Sequence, residues 1–403
     1  MAHRVLIADN LPDTARTRLQ AAGLEVIADA SLKDDALTAA LKAHKPDALV
    51  VRSTKVRAEH LAAAASLQLV VRAGAGVNTI DMTAASARGI YVCNCPGTNS
   101  VAVAELTFGH LINADRQIAD NVADLRAGRW AKKTYSKAGR GLKGRTLGVI
   151  GAGNIGREVI TRAKAFDMRV VAWSQSQDRA AAVAAGAEWA DSPVDVAREA
   201  DALTVHVALV PATRGLIGEA IFDALRPGAI FINTSRGEVV DEAALAKAVR
   251  EKGLRAGLDV FHDEPASDGA WQKDLVDLPG LYGTHHIGAS TQQAQEAVAD
   301  EACRIIEAWA FEGKALNCVN LARETPATHL LVVRHADRVG VLAGVLDVLR
   351  QANLNVQGME NIVFEGAAAA CARLQIEGTP DEAVLARLAE PAEVFDVTSV
   401  ALG

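Results

Sequence analysis

The feature that most constrains this chain is Gly151-Ala152-Gly153-Asn154-Ile155-Gly156, which follows the apolar run Thr146–Ile150 and opens a helical pattern. Glycines at this spacing matter because a strand precedes them and a helix follows. The first permits a tight turn out of the strand. The second lets backbone approach a pyrophosphate, and the third lets the helix pack close to the sheet. The helix N-terminus then offers free N–H groups and partial positive charge to an anion. A dinucleotide-binding βαβ unit is expected. The next strand, Met168–Trp173, ends at Ser174, where an Asp or Glu would take the ribose 2′-hydroxyl of NAD. Gln175-Ser176-Gln177 follow, and Arg179 is the nearest cation. NAD is the expected cofactor, with NADP open because no carboxylate repels a 2′-phosphate there.

The same alternation starts far upstream. Val5–Ala8, Glu25–Ile27, Ala48–Val51, Leu67–Val71 and Ile90–Cys93 read as strands, with helices at Asp13–Ala22, Asp34–His44, Ala58–Ala64 and Met82–Arg88. This rhythm predicts a parallel sheet covered by helices. From Ser100 a long helical stretch runs toward Leu125, and Gly139–Arg145 is a turn-rich break. After Thr146–Ile150, further strands are expected near Arg169–Trp173, Leu203–His206, Ala229–Asn233 and Arg255–Leu258, then a long helix at Thr291–Glu312. Past a polar segment, Asn317–Thr328, the order is strand Leu330–Val333, helix Gly340–Ala352, strands Asn355–Val363 and Ala367–Ile376, helix Pro380–Leu388 and strand Val394–Val400. That is the βαββαβ, ferredoxin-like pattern. The expected fold class is α/β: a Rossmann-type doubly wound parallel sheet (99–286) inserted in a flavodoxin-like substrate domain (1–98 and 287–318), a linker (319–327) and a small βαββαβ domain (328–403).

Three polar segments fall near the ends of later strands, where open α/β sheets bind ligands. They are Asn233-Thr234-Ser235-Arg236-Gly237, Leu258–Pro265 and Thr284–Thr291. Hydride transfer from a 2-hydroxy acid makes matching demands. A planar guanidinium suits the substrate carboxylate. An imidazole suits the hydroxyl proton at neutral pH, and a carboxylate orients the imidazole and stabilises its cation. Arg236, His286 and Glu264 meet these demands. Alone, each reads as a surface ion pair, a helix cap and a solvated loop residue; together, downstream of the glycine fingerprint, they read as a catalytic set.

At these residues the chain resembles the D-isomer-specific 2-hydroxyacid dehydrogenase family over residues 1 to about 320. Arg72-Ala73-Gly74-Ala75-Gly76-Val77-Asn78-Thr79-Ile80-Asp81 resembles its substrate loop, and Cys95-Pro96-Gly97-Thr98-Asn99-Ser100 with Ala102–Glu105 its interdomain crossing. His206–Leu209, Thr234–Gly237, Asp259–Phe261 and His286–Thr291 match further motifs. The resemblance implies that His286 is the acid–base, Glu264 its partner and Arg236 the carboxylate anchor, with Asp259 holding the nicotinamide amide. It implies cofactor contacts at Gly151, Gly153, Asn154, Ile155, Gly156, Ser174, His206, Thr234, Ser235, Gly288 and Ala289, and substrate contacts at Arg52, Ser53, Arg72, Gly74 and Asn99. His285 stands where the family has Pro, so the two imidazoles must be told apart, and Asn78 replaces a usual Asp.

Val51-Arg52-Ser53-Thr54, Arg72 and Ala289–Gln295 resemble the members that act on a phosphorylated 2-hydroxy acid. Such a substrate needs cations at both ends. Lys132 and Lys133, beside Trp130, read first as a solvated basic loop. The C-terminal module resembles an ACT domain, which implies a possible amino-acid effector at His335, Asp337 and Asn355; Asp337 replaces an Asn, and a dimerisation module without ligand is the alternative. The resemblance also implies a homo-oligomer, with the helices after Asn99 at its interface.

The formal charge of −7 argues against a nucleic-acid partner. Cys93, Cys95, Cys303, Cys318 and Cys371 lack metal-ligand spacing, so no metal is expected and a reducing compartment fits. Asp9 comes too early for a secretory signal, and no apolar run is long enough to span a bilayer, so the cytoplasm is expected. Two alternatives stay open: a glyoxylate or hydroxypyruvate reductase of the same chemistry, and a non-catalytic dinucleotide-sensing protein, which would not need an acid–base pair.

Overall fold

The computed structural model describes residues 2–175, 179–265, 268–322 and 324–402. Ser176 and Gln177, noted above beside Ser174, lie outside the described residues. The chain divides into two compact units, Met1–Asn320 and Leu321–Gly403.

The first unit holds two sheets. In one, β1 (Arg4–Ile7), β2 (Glu25–Ala28), β3 (Ala48–Val51), β4 (Leu69–Arg72) and β5 (Tyr91–Asn94) run in the order β2-β1-β3-β4-β5. All neighbours are parallel. Strands covered on both faces should be apolar throughout, and all four residues of β3 are buried. The helix Gln292–Glu312 returns from late in the chain to close one face, with Val298, Ala302, Ile305, Ile306 and Trp309 joining Val50 and Val71 in one cluster. The winding reverses between β1 and β3, which opens a crevice at their C-terminal ends. Asp9 and Arg52 stand there, just past the two strands.

The second sheet comprises β6 (Thr146–Ile150), β7 (Arg169–Trp173), β8 (Glu188–Trp189), β9 (Ala202–Val205), β10 (Ile230–Asn233), β11 (Arg255–Leu258) and β12 (Leu281–Gly283). Its order is β12-β11-β10-β9-β6-β7-β8, the doubly wound arrangement, with the reversal between β6 and β9. Gly151 and His206 therefore share the crevice above these two strands. β8 and β12 were not expected; at two and three residues they carry no readable period.

The helical stretch from Ser100 toward Leu125 is two helices. Ser100–Arg116 ends at Gln117, which is left-handed at φ +52°, and Ile118–Arg126 starts afresh. Asn113 Oδ1 accepts from Ala119 N at 2.9 Å, capping the restart. The first helix buries Ala104, Phe108, Leu111 and Ala114, whereas the second buries nothing.

In the second unit β13 (His329–Ala336), β14 (Asn355–Val363), β15 (Ala369–Glu377) and β16 (Val394–Ala401) form an antiparallel sheet in the order β14-β15-β13-β16. Helices Val341–Gln351 and Glu382–Ala389 cover one face. Leu331, Val333, Leu374 and Ile376 meet Val345, Leu349, Val384 and Leu388 in its core. This is the βαββαβ fold read from the sequence. No helix among the described residues is long and apolar enough to cross a membrane.

Candidate active site

The glycine turn is built by exclusion of side chains. Gly151 is at φ +100°, and a Cβ there would lie 2.4 Å from the His206 carbonyl oxygen. A Cβ on Gly156 would lie 2.0 Å from the Gly151 oxygen, whereas one on Gly153 would meet nothing within 4 Å. Gly153 caps the helix Asn154–Ala165 without a side-chain hydrogen bond, so the first amides stay available to an anion. The His206 ring is buried and bonds Thr204 Oγ1 through Nε2 at 2.9 Å, while Nδ1 has no partner among the described residues. Burial pushes this imidazole down to about 3, so it is neutral. Open space at the second glycine, an uncapped helix start and an orphaned buried nitrogen fit a dinucleotide at this turn. Ser174 is buried at the end of β7, and Ile155 packs against the core below the turn. Asn154 approaches the crossing segment: a Cβ on Gly97 would be 3.0 Å from Asn154 Nδ2.

These contrasts set an expected result. Gly153→Ala should leave thermal stability unchanged, because its methyl meets only open space, yet weaken NADH binding by at least about tenfold, since it stands where the pyrophosphate approaches. Gly156→Ala should also lose about 1–3 kcal/mol of stability by overpacking. Fluorescence titration with NADH and thermal melts separate the two; undiminished affinity in Gly153→Ala would remove the pyrophosphate from this turn.

At the edge of the same sheet, on the same side as the glycine turn, β12 leads into Thr284–Gly288. His286 is left-handed at φ +52°. The cause lies in Asp259, just past β11. Its carbonyl oxygen accepts from His286 N, its Oδ1 from Ile287 N and its Oδ2 from Gly288 N, each at 2.8 Å. Thr284 Oγ1 adds a bond to Oδ1 at 2.6 Å. So held, His286 Nδ1 lies 2.7 Å from Glu264 Oε2. Glu264 Oε1 in turn accepts from Phe261 N at 2.9 Å. Partial burial raises the affinity of Glu264 for a proton, but His286, the Phe261 amide and Arg236 outweigh it and hold the carboxyl below its usual range. With Nδ1 turned to a carboxylate, Nε2 is the nitrogen left to exchange a proton. His285 lines the same cavity of about 690 Å³ with Phe261 and Trp271, but its ring has no hydrogen bond among the described residues.

The cations gather nearby. Arg236 follows β10, where Asn233 Nδ2 donates to the Arg236 carbonyl at 2.9 Å and Arg236 Nη1 donates to Ser235 O at 2.6 Å. A Cβ on Gly76 would lie 3.0 Å from Arg236 Nη2 and 3.3 Å from Asn78 Oδ1, so the loop after β4 touches this guanidinium. Arg72 ends β4 and donates through Nε to Arg52 O at 3.0 Å. Gly74 makes room for it: a Cβ there would fall 2.0 Å from Arg72 Nη1. Burial, then repulsion from Arg236 and from Arg52, pulls Arg72 down to about 10. Among the described residues none of the three has a carboxylate within 4 Å. Uncompensated cations held together are costly unless an anion joins them.

Asp9 organises the Arg52 side. Its Oδ2 accepts from the amides of Arg52, Ser53 and Thr54 at 2.7, 3.1 and 2.9 Å, and its Oδ1 from Ser53 Oγ at 2.8 Å. Burial opposes the charge, but these donors hold the carboxyl below its usual range. Sequence reading missed Asp9; the available signal was a carboxylate just past the first strand, at a switch point. Asn99 Oδ1 is buried without a partner among the described residues. Thr234 Oγ1 pairs with Thr107 Oγ1 at 3.0 Å, and Ser235 Oγ donates to Asn233 Oδ1 at 2.7 Å. Gly288 is buried against Asp259 and Ala289 is half-buried. Lys132 and Lys133 are exposed beside Trp130.

One copy of the second unit does not bring His335, Asp337 and Asn355 together. His335 is buried, with Nδ1 on Ala336 O at 2.8 Å and Nε2 on Asn361 Oδ1 at 3.2 Å. In register His335 faces Ala370, which faces Val363, whereas Asn355 faces Glu377 at the far end of β14. Asn355 is thus roughly 25 Å along the sheet from His335 and Asp337.

Residues 108–288 match the model of the NAD-binding domain of D-isomer-specific 2-hydroxyacid dehydrogenases. A D-3-phosphoglycerate dehydrogenase of Mycobacterium tuberculosis is 40% identical over 362 residues, 88% of this chain and 66% of that one. The chain belongs to the D-isomer-specific 2-hydroxyacid dehydrogenase family. Another relative, the D-3-phosphoglycerate dehydrogenase of Methanocaldococcus jannaschii, is 37% identical over 327 residues, 80% of this chain and 60% of its own length. The chain therefore spans about two thirds or less of these curated relatives. The solved NAD+-bound 3-phosphoglycerate dehydrogenase of Entamoeba histolytica superposes with a TM-score of 0.66 at 25% identity, covering 80% of this chain and 99% of that one.

Proposed function

We propose that this protein is a D-3-phosphoglycerate dehydrogenase, oxidising 3-phosphoglycerate to 3-phosphohydroxypyruvate with NAD and so feeding serine biosynthesis. The observation that carries the reading is the meeting of three guanidiniums, from Arg52, Arg72 and Arg236, with the His286–Glu264 pair. A substrate with a phosphate at one end and a carboxylate at the other neutralises both ends of such a cluster.

NAD, held at the glycine turn, supplies the acceptor for the hydride that leaves C2. The other roles belong to the protein. Arg236 forks the substrate carboxylate. Arg52 and Arg72, with Ser53 and Gly74 beside them, receive the phosphate, and Asn99 serves as a further substrate contact. His286 Nε2 takes the hydroxyl proton, and Glu264 stabilises the resulting imidazolium. The C2–H bond breaks as the carbonyl forms, the electron pair leaves as hydride, and the proton stays on His286 until solvent takes it. Asp259 has one acceptor position left on Oδ2 for the nicotinamide amide, and Asn154, Ile155, Ser174, His206, Thr234, Ser235, Gly288 and Ala289 would line the cofactor.

Residues 1–98 with 287–318 serve as substrate domain, 99–286 as NAD domain and 328–403 as an ACT-like regulatory domain whose amino-acid site would need residues from two copies. Pairing of copies through the helix Ile118–Arg126 is supported by its exposed Ile118, Val122 and Leu125. A cytoplasmic enzyme is the expected setting.

Initial rates with 3-phosphoglycerate, glycerate and lactate, each with NAD and NADP, test the reading. Two charge-assisted bonds to the phosphate, at about 1.5–3 kcal/mol each, should favour the phosphorylated acid by at least about 100-fold in kcat/KM. Equal rates on glycerate would point to a hydroxypyruvate or glyoxylate reductase. Tight NADH binding without turnover would point to a dinucleotide sensor.

A further inference from the structure

The turn that carries His286 is held from inside the protein by a residue with no role so far. His110 sits in the helix Ser100–Arg116, 4% exposed, with Nε2 3.0 Å from Thr284 Oγ1. Thr284 Oγ1 in turn lies 2.6 Å from Asp259 Oδ1, and Asp259 captures the amides of His286, Ile287 and Gly288. Donor directions follow from the groups themselves. An ionised Asp259 only accepts, so the Thr284 hydroxyl donates to it. The Thr284 oxygen is left with lone pairs, so the proton on the His110 ring is on Nε2. Burial lowers the proton affinity of His110 although Asp259 opposes this, which favours that neutral form.

The fold makes room for this ring. A Cβ on Gly257, in β11, would lie 2.6 Å from His110 Cβ and 2.9 Å from its Nδ1. Its helix neighbours Phe108, Leu111 and Ala114 are core residues, so packing alone would be served by an apolar side chain here. No Lys or Arg lies within 4 Å of the Asp259 carboxylate among the described residues. That carboxylate is 1% exposed and depends on neutral donors. A hydroxyl polarised by a second donor is a stronger one.

We propose that His110 is a positioning residue for His286, acting through Thr284 and Asp259 to fix the left-handed turn that points Nδ1 at Glu264. The proposal rests on the reading of His286 as the base. Its structural part can be tested without turnover. His110→Gln keeps an N–H donor at the reach of Nε2. His110→Met fills similar space without a donor, and Thr284→Val removes the middle link without changing shape. His110→Met and Thr284→Val should each lower kcat roughly ten- to a hundredfold, leave NADH affinity intact, and combine with no further loss. His110→Gln should restore most of the rate.

In cofactor-free protein the long-range 1H–15N spectrum of the His286 ring, recorded where it is neutral, reports which nitrogen carries the proton. Glu264, Asp268, Arg236, His285 and Asp259 are the charged or titratable groups around that ring, and only the Glu264 contact should change. Wild type and His110→Gln should show the proton on Nδ1, and His110→Met a mixture of both forms. A His110→Gln variant as impaired as His110→Met would make the role one of packing, and an unchanged His286 spectrum in His110→Met or Thr284→Val would break the link to the base. If no hydroxy acid turns over at all, the spectrum still decides the positioning claim while the catalytic reading falls separately.

Discussion

His286→Asn is expected to lower kcat by roughly 1,000-fold while NADH affinity stays unchanged. The size follows from which nitrogen is lost. The asparagine amide reaches only as far as Nδ1, so it keeps the bond to Glu264 and leaves the turn on Asp259 undisturbed. Nothing then stands at the position of Nε2 to take the hydroxyl proton. His285→Asn is the control: it lines the same cavity but has no carboxylate partner among the described residues, and it should change kcat by less than about threefold. Were His285→Asn the more damaging change, the base would be the other imidazole.

Glu264→Gln should lower kcat, because a neutral amide no longer stabilises the imidazolium formed when the ring takes the hydroxyl proton. It also carries a pH signature in stability. The folded proton affinity of Glu264 is lowered, so its contribution is present above the ordinary carboxylate range and is lost as pH falls through the lowered folded value. Glu264→Gln should therefore be less stable than wild type at pH 7, with the difference shrinking at pH 4. Thermal melts at the two pH values check this.

The residue types of the site were legible because the fold leaves them few other places to be. In an open parallel sheet the strand C-termini share one crevice, so Arg52 and Arg72, just past β3 and ending β4 of the first sheet, and Arg236, just past β10 of the second, were each readable at a ligand-binding edge once the strands were drawn. The glycine fingerprint was equally plain, since each glycine answers a separate steric demand. What the sequence hid was capture of backbone by side chains. Asp9 and Asp259 each gather consecutive amides, and neither leaves a trace in hydrophobic periodicity. The same blindness explains Gln117: one left-handed residue splits a helix without breaking its apolar spacing. The separation of the effector residues was hidden for a third reason. His335, Asp337 and Asn355 are close in sequence, but the strand order β14-β15-β13-β16 carries Asn355 to the far end of the sheet.

Arg72→Met is expected to raise KM for 3-phosphoglycerate by roughly 100-fold or more and to leave the unliganded protein no less stable than wild type. The two halves have one cause. Arg72 is pulled down to about 10 by burial and by its two guanidinium neighbours. Carrying its charge in the folded state therefore costs on the order of 3 kcal/mol, present at all pH values below about 10 and relieved only as pH rises through it. Methionine removes that cost, which offsets the lost bond to Arg52 O and the lost packing of the guanidinium. A bound phosphate repays the same cost in the native protein, since anion and cation relieve each other's burial. Added 3-phosphoglycerate should accordingly raise the melting temperature of wild type by mass action and barely move that of Arg72→Met. Arg52→Met should share the KM defect, whereas Arg236→Lys should chiefly lower kcat, because a point charge cannot orient the carboxylate as a fork does. If the Arg72 variant melts well below wild type and still binds the phosphorylated acid normally, the guanidinium is a structural strut and the phosphate must be held elsewhere.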